Sequence, residues 1–437
     1  MSPRLNHVGR TPPAAGLYHY IREANGERSR IHLRLDEDRS GLLLVNANRV
    51  IHLNPTAALI AFLVLENVPT PEALSTLTQV YNVSPTQASE DYALLTDQLD
   101  ELVRPEGACP IHELDIETKM PFSARPSAPY RMDLALTYRC NNDCAHCYND
   151  RPRNFAELST AQWKGILDKL WHLGIPHIVF TGGEPTLRLD LPELIAHAEA
   201  NGQITGLNTN GRRLNDPAYV SELVSAGLDH IQITVESHDP QIHDAMVMTR
   251  GAWVQTIAGV RNALDTPLYV MTNTTMLRHN SPHLAETLDF LAALGVPTIG
   301  LNALIYSGRG STVGTGLNEA ELPALLELAR EKTDFYQQRL IWYTPTQYCH
   351  FDPMQLELGV KGCTAALYNM CIESDGSVIP CQSYYQPLGN ILSDPWEALW
   401  NHDLAISLRE RRYIPGNCQG CALLAECGGG CPLKLNQ

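Results

Sequence analysis

The sequence predicts an α/β protein, with a small α+β unit ahead of the α/β core and a small cysteine-rich unit behind it. Three observations predict this. Short β-type runs and amphipathic segments alternate over residues 130–335, the pattern of a parallel sheet with helices outside it. Ahead of that region, β-rich runs are followed by three helical patterns without alternation. Behind it, residues 336–437 are rich in turns, Gly and Pro and hold eight of the twelve cysteines, which suggests a small fold held by metal. A chain of 437 residues is too long for one ordinary core. The boundaries read as 17–105, a linker over 106–129, then 130–335 and 336–437.

The elements follow in order. The stretch from Met1 to Gly16 contains Pro and Ala and reads as a loose tail. β-rich runs lie at Leu17–Ile21, Ser29–Leu35 and Gly41–Leu53, separated by the hairpin turns Asn25-Gly26 and Asp36–Ser40. Asn54-Pro55-Thr56 reads as an N-cap with Pro in the first turn, followed by apolar Ala58, Leu59, Phe62, Leu63 and Leu65. Thr70-Pro71-Glu72 opens a second helix with Leu74 and Leu77 inward. Ser84-Pro85 opens a third, with Ala88, Tyr92, Leu95 and Leu99 at helical spacing. From Arg104 to Tyr130 the chain is Pro-rich and aperiodic, long for a simple connection.

Candidate core strands are Arg131–Leu136, His177–Phe180, Ile204–Asn208, His230–Val235, Leu268–Thr272 and Thr298–Leu304. Amphipathic segments lie at Ala161–Leu173, Leu191–Ala200, Tyr219–Ala226, Trp253–Leu264 and His283–Leu294, with a further helix at Glu319–Leu340. Six βα units suit either a doubly wound sheet or a partial barrel, and periodicity alone does not choose between them.

Composition excludes several function classes. The chain is 44% hydrophobic and 18% charged, ordinary for a soluble globular protein. Its apolar runs are too short to span a bilayer and the N-terminus has no signal-peptide core, so no membrane partner is expected and the cytoplasm is the default location. Cysteines clustered in a reducing compartment point to metal and not to disulfides. A net charge of −16 argues against nucleic acid as the main partner, because phosphate binding needs a basic surface.

The most informative run is Thr137-Tyr-Arg-Cys-Asn-Asn-Asp-Cys-Ala-His-Cys-Tyr148. Thiolates at Cys140, Cys144 and Cys147 can hold three irons of a [4Fe–4S] cube and leave the fourth open to a ligand. Three close cysteines alone also suit a zinc knuckle or a structural thiol cluster. Their placement directly after the first core strand puts them where α/β proteins carry their chemistry. At the end of the second strand stands Thr181-Gly182-Gly183-Glu184-Pro185, where two glycines admit close backbone approach and Glu184 can accept from an ammonium group. Together these motifs resemble the radical S-adenosylmethionine (radical SAM) family.

The resemblance implies a partial (β/α)6 barrel. It also implies an open iron that chelates the amino and carboxylate groups of S-adenosylmethionine, and reductive cleavage to a 5′-deoxyadenosyl radical. Cofactor contacts are expected at Gly182, Gly183, Glu184, Pro185, Asn210, Thr234, Glu236 and Ser237. Of these, Thr209-Asn210-Gly211 and Thr234-Val235-Glu236-Ser237 end the third and fourth strands, and Thr234 and Glu236 stand where relatives often carry Ser and Asp. Tyr306-Ser307-Gly308-Arg309-Gly310 resembles a family loop near the adenine. His146 is expected to pack beside the adenine and not to bind iron, and Tyr148 to be a packed residue.

The C-terminal spacing is Cys363-x12-Gly376-x4-Cys381, then Cys418-x2-Cys421-x5-Cys427-x3-Cys431. It is similar to the SPASM pattern of radical SAM maturases, which implies auxiliary [4Fe–4S] clusters. By family analogy Cys363, Cys371, Cys381 and Cys431 hold one cluster, and Cys418, Cys421 and Cys427 the other. One open and two fully ligated cubes need eleven thiolates, and without the outlying Cys109 and Cys349 the chain offers ten. The second cluster therefore has an open iron, a non-Cys ligand, or Cys349 or Cys109. A single cluster on Cys363, Cys381, Cys418 and Cys421 is the alternative, and Cys371 also reads as a buried core thiol.

The N-terminal unit, with Val50-Ile51-His52-Leu53-Asn54-Pro55-Thr56 at its junction, looks like the winged-helix-like PqqD-type domain that recognises ribosomally made precursor peptides. Such domains add the peptide leader as a strand to a sheet edge. The edge is expected near Arg30–Leu35, flanked by the helix Thr86–Leu102. A third helix carrying Glu90, Asp91, Asp97, Asp100 and Glu101 disfavours DNA. The resemblances together imply a peptide maturase that crosslinks, epimerises or oxidises its substrate, supplied with electrons by a reductase or flavodoxin-type donor. Two rivals stand beside it: radical modification of a tetrapyrrole or of a protein such as a sulfatase, and a non-enzymatic metal-binding winged-helix regulator.

Overall fold

The computed structural model describes residues 12–24, 27–46, 49–103 and 126–435. The chain divides into two compact units, Met1–Ser127 with Leu170–Pro176, and Ala128–Lys169 with His177–Gln437. Among the described residues, no helix is long and apolar enough to cross a membrane.

The first unit holds a four-stranded antiparallel sheet in the order β1 (Gly16–Ala24), β2 (Glu27–Leu35), β3 (Gly41–Val45) and β4 (Arg49–Leu53). Two sequence expectations are corrected here. The run Gly41–Leu53 is two strands, because Asn46 takes a left-handed φ of 50° and turns the chain. Arg30–Leu35 is not an edge: β2 pairs with β1 (Gly16↔Leu35) and with β3 (Ile31↔Val45), so its hydrogen-bonding groups are taken on both sides. The edge strands are β1 and β4. The Asp36–Ser40 turn is present, closed by Asp36 N donating to Ser40 O at 2.9 Å. The Asn25-Gly26 turn lies outside the described residues.

Helices α1 (Pro55–Leu65), α2 (Thr70–Val80) and α3 (Pro85–Val103) cover this sheet. Asn54 caps α1 by accepting from Ala57 N at 2.9 Å. The face of β2 carrying Ile31, Leu33 and Leu35 packs with Leu59, Phe62 and Leu63 of α1, Leu77 of α2, and Tyr92 and Leu99 of α3.

The second unit is built on one sheet in which β5 (Arg131–Thr137), β6 (His177–Gly182), β7 (Ile204–Thr209), β8 (His230–Thr234), β9 (Tyr269–Thr275), β10 (Thr298–Asn302) and β11 (Arg339–Trp342) run parallel in sequence order. A doubly wound sheet reverses its order part-way, and this one does not. With right-handed crossovers, uninterrupted order puts the connecting helices on one face. Those helices are α4 (Thr160–His172), α5 (Leu191–Asn201), α6 (Pro217–Ser225), α7 (Pro240–Met246), α8 (Ala252–Leu264), α9 (Leu284–Ala293) and α10 (Leu322–Phe335). The expected helix Glu319–Leu340 is shorter: Gln337 takes a left-handed φ of 56°, and the chain continues as β11.

The C-terminal region does not build a separate sheet. Strand β12 (Asn369–Ile372) pairs parallel to the free side of β5 (Asn369↔Arg131), followed antiparallel by β13 (Ser377–Ile379) and β14 (Gly389–Asn390).

Candidate active site

Strand β5 delivers the three cysteines. Its core-facing Met132, Leu134 and Leu136 are fully buried, and the chain turns outward after Thr137 into the loop that carries Cys140, Cys144 and Cys147. All three are half-buried and line one cavity of about 780 Å³. The loop is held by its backbone. Asp143 N donates to Val247 O and Ala145 N to Met246 O, both at 3.0 Å, and Gly310 N donates to Cys147 O at 3.3 Å. Arg212 donates to Asn141 O and, at 2.9 Å, to Asn142 Oδ1. Arg153 donates to Cys140 O and Asn142 O. Burial, then the nearby charge of Glu184, pushes the Cys140 thiol up to about 11, and burial pushes Cys144 up as well. A bound cation reverses that preference and takes the thiolate.

Gly182 and Gly183 line the same cavity. They also let two backbones meet: Gly183 N donates to Thr137 O at 2.7 Å and Glu184 N to Arg139 O at 2.8 Å. A Cβ on Gly183 would stand 2.4 Å from Arg139 O and 2.7 Å from Tyr138 O. We therefore expect Gly183→Ala to push the start of the cysteine loop away, costing about 1–3 kcal/mol. Melting of the metal-free protein together with iron content after reconstitution checks this. An unchanged melt with full iron would show that the approach has slack.

Glu184 is engaged by the protein's own donors. The side chain is fully buried, and neither it nor Pro185 lines the cavity. Its Oε1 accepts from Thr186 N (3.1 Å), Thr186 Oγ1 (2.6 Å) and Thr209 Oγ1 (2.7 Å), and its Oε2 accepts from Asn210 N (2.8 Å). Burial raises its pKa, and these four hydrogen bonds oppose the rise. What the carboxylate does here is fix the end of β7. Asn210, held on one side by Glu184, donates from Nδ2 to Asn141 Oδ1 at 2.7 Å and lines the cavity.

At the end of β8, Thr234 is half-buried and lines the cavity. Ser237 is buried away from it, its Oγ accepting from Asp239 N at 3.1 Å. Glu236 lines the cavity and is buried: Oε1 meets His146 Nε2 at 2.9 Å, and Oε2 accepts from Thr275 N at 2.9 Å. This His146–Glu236 pair ties the cysteine loop to β8, a partnership that no local pattern announces. Tyr148 lines the cavity too, its hydroxyl 3.3 Å from Gln382 Oε1.

Sequence reasoning also passed over Asp133, which is buried, paired to Arg131 at 2.6 Å, and on the cavity wall with it. The signal was present: two charged residues two apart in an otherwise apolar strand share one face of the sheet.

The C-terminal cysteines sort by position. Cys363, Cys381 and Cys431 are half-buried and line the same cavity as the β5 loop. The charges of Cys431 and Cys381 act on Cys363, whose thiol burial has already raised. Burial likewise pushes Cys381 up to about 12. Cys371 is fully buried in β12 against Ala135, Tyr138 and Ile379, and Cys418, Cys421 and Cys427 lie away from the cavity. Cys109 lies outside the described residues. Among the described residues, no three His, Cys, Asp or Glu side chains are gathered around a point for a single metal ion. In a cube, each thiolate binds a different iron.

Comparison with known proteins adds the decisive observation. Residues 134–291 match the radical SAM superfamily, and residues 363–422 match the SPASM iron–sulfur cluster-binding domain. The chain carries a radical SAM domain followed by a SPASM domain. It is a radical SAM enzyme of the SPASM type, and the two domains imply [4Fe–4S] clusters and S-adenosylmethionine.

Among solved structures, SuiB of Streptococcus suis bound to S-adenosylmethionine aligns with a TM-score of 0.69 at 18% identity, covering 92% of this chain and 95% of that one. SuiB bound to its precursor peptide SuiA aligns at 0.68 and 17%, covering 92% and 94%. The protein anSMEcpe with bound AdoMet aligns at 0.57 and 16%, covering 69% and 89%. At these identities the likeness is one of fold.

The radical SAM cavity fits its cofactor on its own terms. His146 Nδ1, Asn273 Oδ1 and Asn302 Oδ1 are buried without hydrogen-bond partners, and all three residues line the cavity beside the cysteine loop. Buried polar atoms left open in this way suit a polar ligand.

Proposed function

We propose that this protein is a maturase of a ribosomally made peptide, with a partial (β/α)6 barrel as its reaction chamber and its N-terminal unit as a PqqD-like leader-binding domain. One observation carries the reading. Cys140, Cys144 and Cys147 open onto the same cavity as Cys363, Cys381 and Cys431, so a substrate held there lies between two metal-binding sets. The likeness to SuiB, whose structure was obtained with its precursor peptide, supports the choice of a peptide.

When bound, the cluster on Cys140, Cys144 and Cys147 supplies the electron that converts S-adenosylmethionine to a hydrogen-abstracting radical. The chain's own residues do the positioning. Glu184 fixes the end of β7 and thereby Asn210. Glu236 holds His146 by one ring nitrogen and leaves the other open. Gly182, Gly183, Asn210 and Thr234 form the wall on which the cofactor rests, and Asn273 and Asn302 offer acceptors deeper in. The wall is polar where β6–β10 end, suited to a hydrophilic cofactor and a peptide backbone. Holding the target carbon against the reactive one is the protein's main contribution. The electron comes from a reductase or flavodoxin-type partner in the reducing cytoplasm.

In the N-terminal unit, the edge strand β1 touches α3 through Arg22 Nη1 to Asp100 Oδ1 at 2.6 Å. Among the described residues it pairs with β2 alone. A leader peptide adding there would lie beside α3. The test uses the anaerobically reconstituted, reduced enzyme and the short peptide encoded beside its gene. The peptide is expected to accelerate 5′-deoxyadenosine release and to slow amide exchange along β1 but not β4. Release that ignores the peptide, with no protection in this unit, would move the substrate to another class.

A further inference from the structure

Besides Cys371, four of the described cysteines lie away from the cavity: Cys349, Cys418, Cys421 and Cys427, the last of them buried. The segment after β11 is drawn to the last of these by its backbone. Tyr348 N donates to Cys427 Sγ at 3.3 Å, and Cys427 Sγ donates to Thr346 O at 3.7 Å. The segment is itself anchored: Trp342 Nε1 donates to Thr346 Oγ1 at 3.2 Å, and Lys361 N to the Tyr348 hydroxyl at 2.9 Å. Cys349 follows directly, in a turn where His350 N donates to Gln347 O at 2.9 Å, and its side chain is exposed. An amide N–H aimed at a cysteine sulfur, as at Cys427, is one of the contacts that tune iron–sulfur ligands.

We propose that Cys349 is the fourth thiolate of the auxiliary cluster held by Cys418, Cys421 and Cys427, supplied from upstream of the SPASM motif. Cys371 takes no part in this set: its thiol donates to Ile372 O at 3.7 Å inside the core that joins β12 to β5. The proposal rests on the iron–sulfur reading of the C-terminal cysteines, and its test separates the two.

Full-length protein, reconstituted anaerobically, is treated with iodoacetamide and mapped by mass spectrometry before and after iron chelation. An exposed thiol alkylates readily unless metal holds it. Cys349 is expected to be protected together with Cys418, Cys421 and Cys427, and all four are expected to react once iron is removed. Reaction of Cys349 alone in the loaded protein overturns its assignment. Reaction of all four in the loaded protein overturns the cluster itself. In parallel, Cys349→Ala leaves three thiolates on that cube, so it is expected to alter the reduced-state electron paramagnetic resonance spectrum and to yield iron to a chelator faster than wild type, with Cys109→Ala unchanged. Wild-type iron release and an unaltered spectrum in Cys349→Ala, or the change appearing in Cys109→Ala instead, rejects the proposal.

Discussion

Cys144→Ala is expected to abolish reductive release of 5′-deoxyadenosine while leaving the fold in place. Changes outside the ligand shell of a metal site typically cost about 10–100-fold, and removal of a ligand exceeds that. The variant is informative because the loop does not depend on the sulfur. Its neighbours Asp143 and Ala145 are tied through backbone amides to Val247 and Met246, and Arg212 and Arg153 grip Asn141, Asn142 and the Cys140 carbonyl. Circular dichroism and melting should match wild type, with activity lost. Cys140→Ala and Cys147→Ala should behave alike, because a cube held by two thiolates loses the arrangement that leaves one iron open. Release that survives in all three variants would remove the basis for the proposed chemistry.

The largest expected loss of stability comes from Arg151→Ala. Glu373 is fully buried, and Arg151 meets it with two parallel hydrogen bonds, Nε to Oε1 at 2.6 Å and Nη2 to Oε2 at 2.8 Å. The guanidinium also lies over the rings of Phe155 and Tyr385, at 5.1 and 5.2 Å. Removing it leaves a buried carboxylate with one weak donor, the Tyr138 hydroxyl at 3.3 Å. Stranding one member of a buried pair costs about 3–5 kcal/mol.

A second substitution identifies the cause. In the variant, Glu373 is a buried carboxylate without its cationic partner. Adding Glu373→Gln removes the stranded charge and should restore part of the loss. Chemical denaturation of the metal-free proteins measures it. A deficit that ignores the second substitution would place the effect in lost packing on the aromatic rings.

Much of the catalytic unit could be read in the chain because its information is local. Each core strand is a short apolar run, each helix an amphipathic segment, and the cysteine triplet and Gly-Gly pair fall at strand ends. What escaped depends on partners distant in sequence or on unmarked turns. Gln337 stops α10 without a Gly or Pro to announce it, so the expected helix, ending at Leu340, runs into the start of β11. The edge position expected for Arg30–Leu35 failed because pairing order, unlike strand propensity, is decided by which runs meet. Glu184 illustrates a third case. Its motif says that a carboxylate is needed after two glycines, but Thr186, Thr209 and Asn210, which decide where it points, are visible only in three dimensions. The His146–Glu236 contact joins residues whose neighbours in sequence give no hint of each other.

The placement of β12 beside β5 has a consequence for how this protein is made. Strand β5 is among the first parts of the catalytic sheet to leave the ribosome. Its outer edge, however, stays unpaired until Asn369–Ile372 has been synthesised, and the Tyr368 carbonyl closes the seam by accepting from Tyr130 N and Arg131 N. Long-range pairing of this kind is slow and exposes an open strand edge in the meantime. Nascent chains paused before that point, or truncated upstream of it, are therefore the ones expected to self-associate through β5 and to need chaperone help.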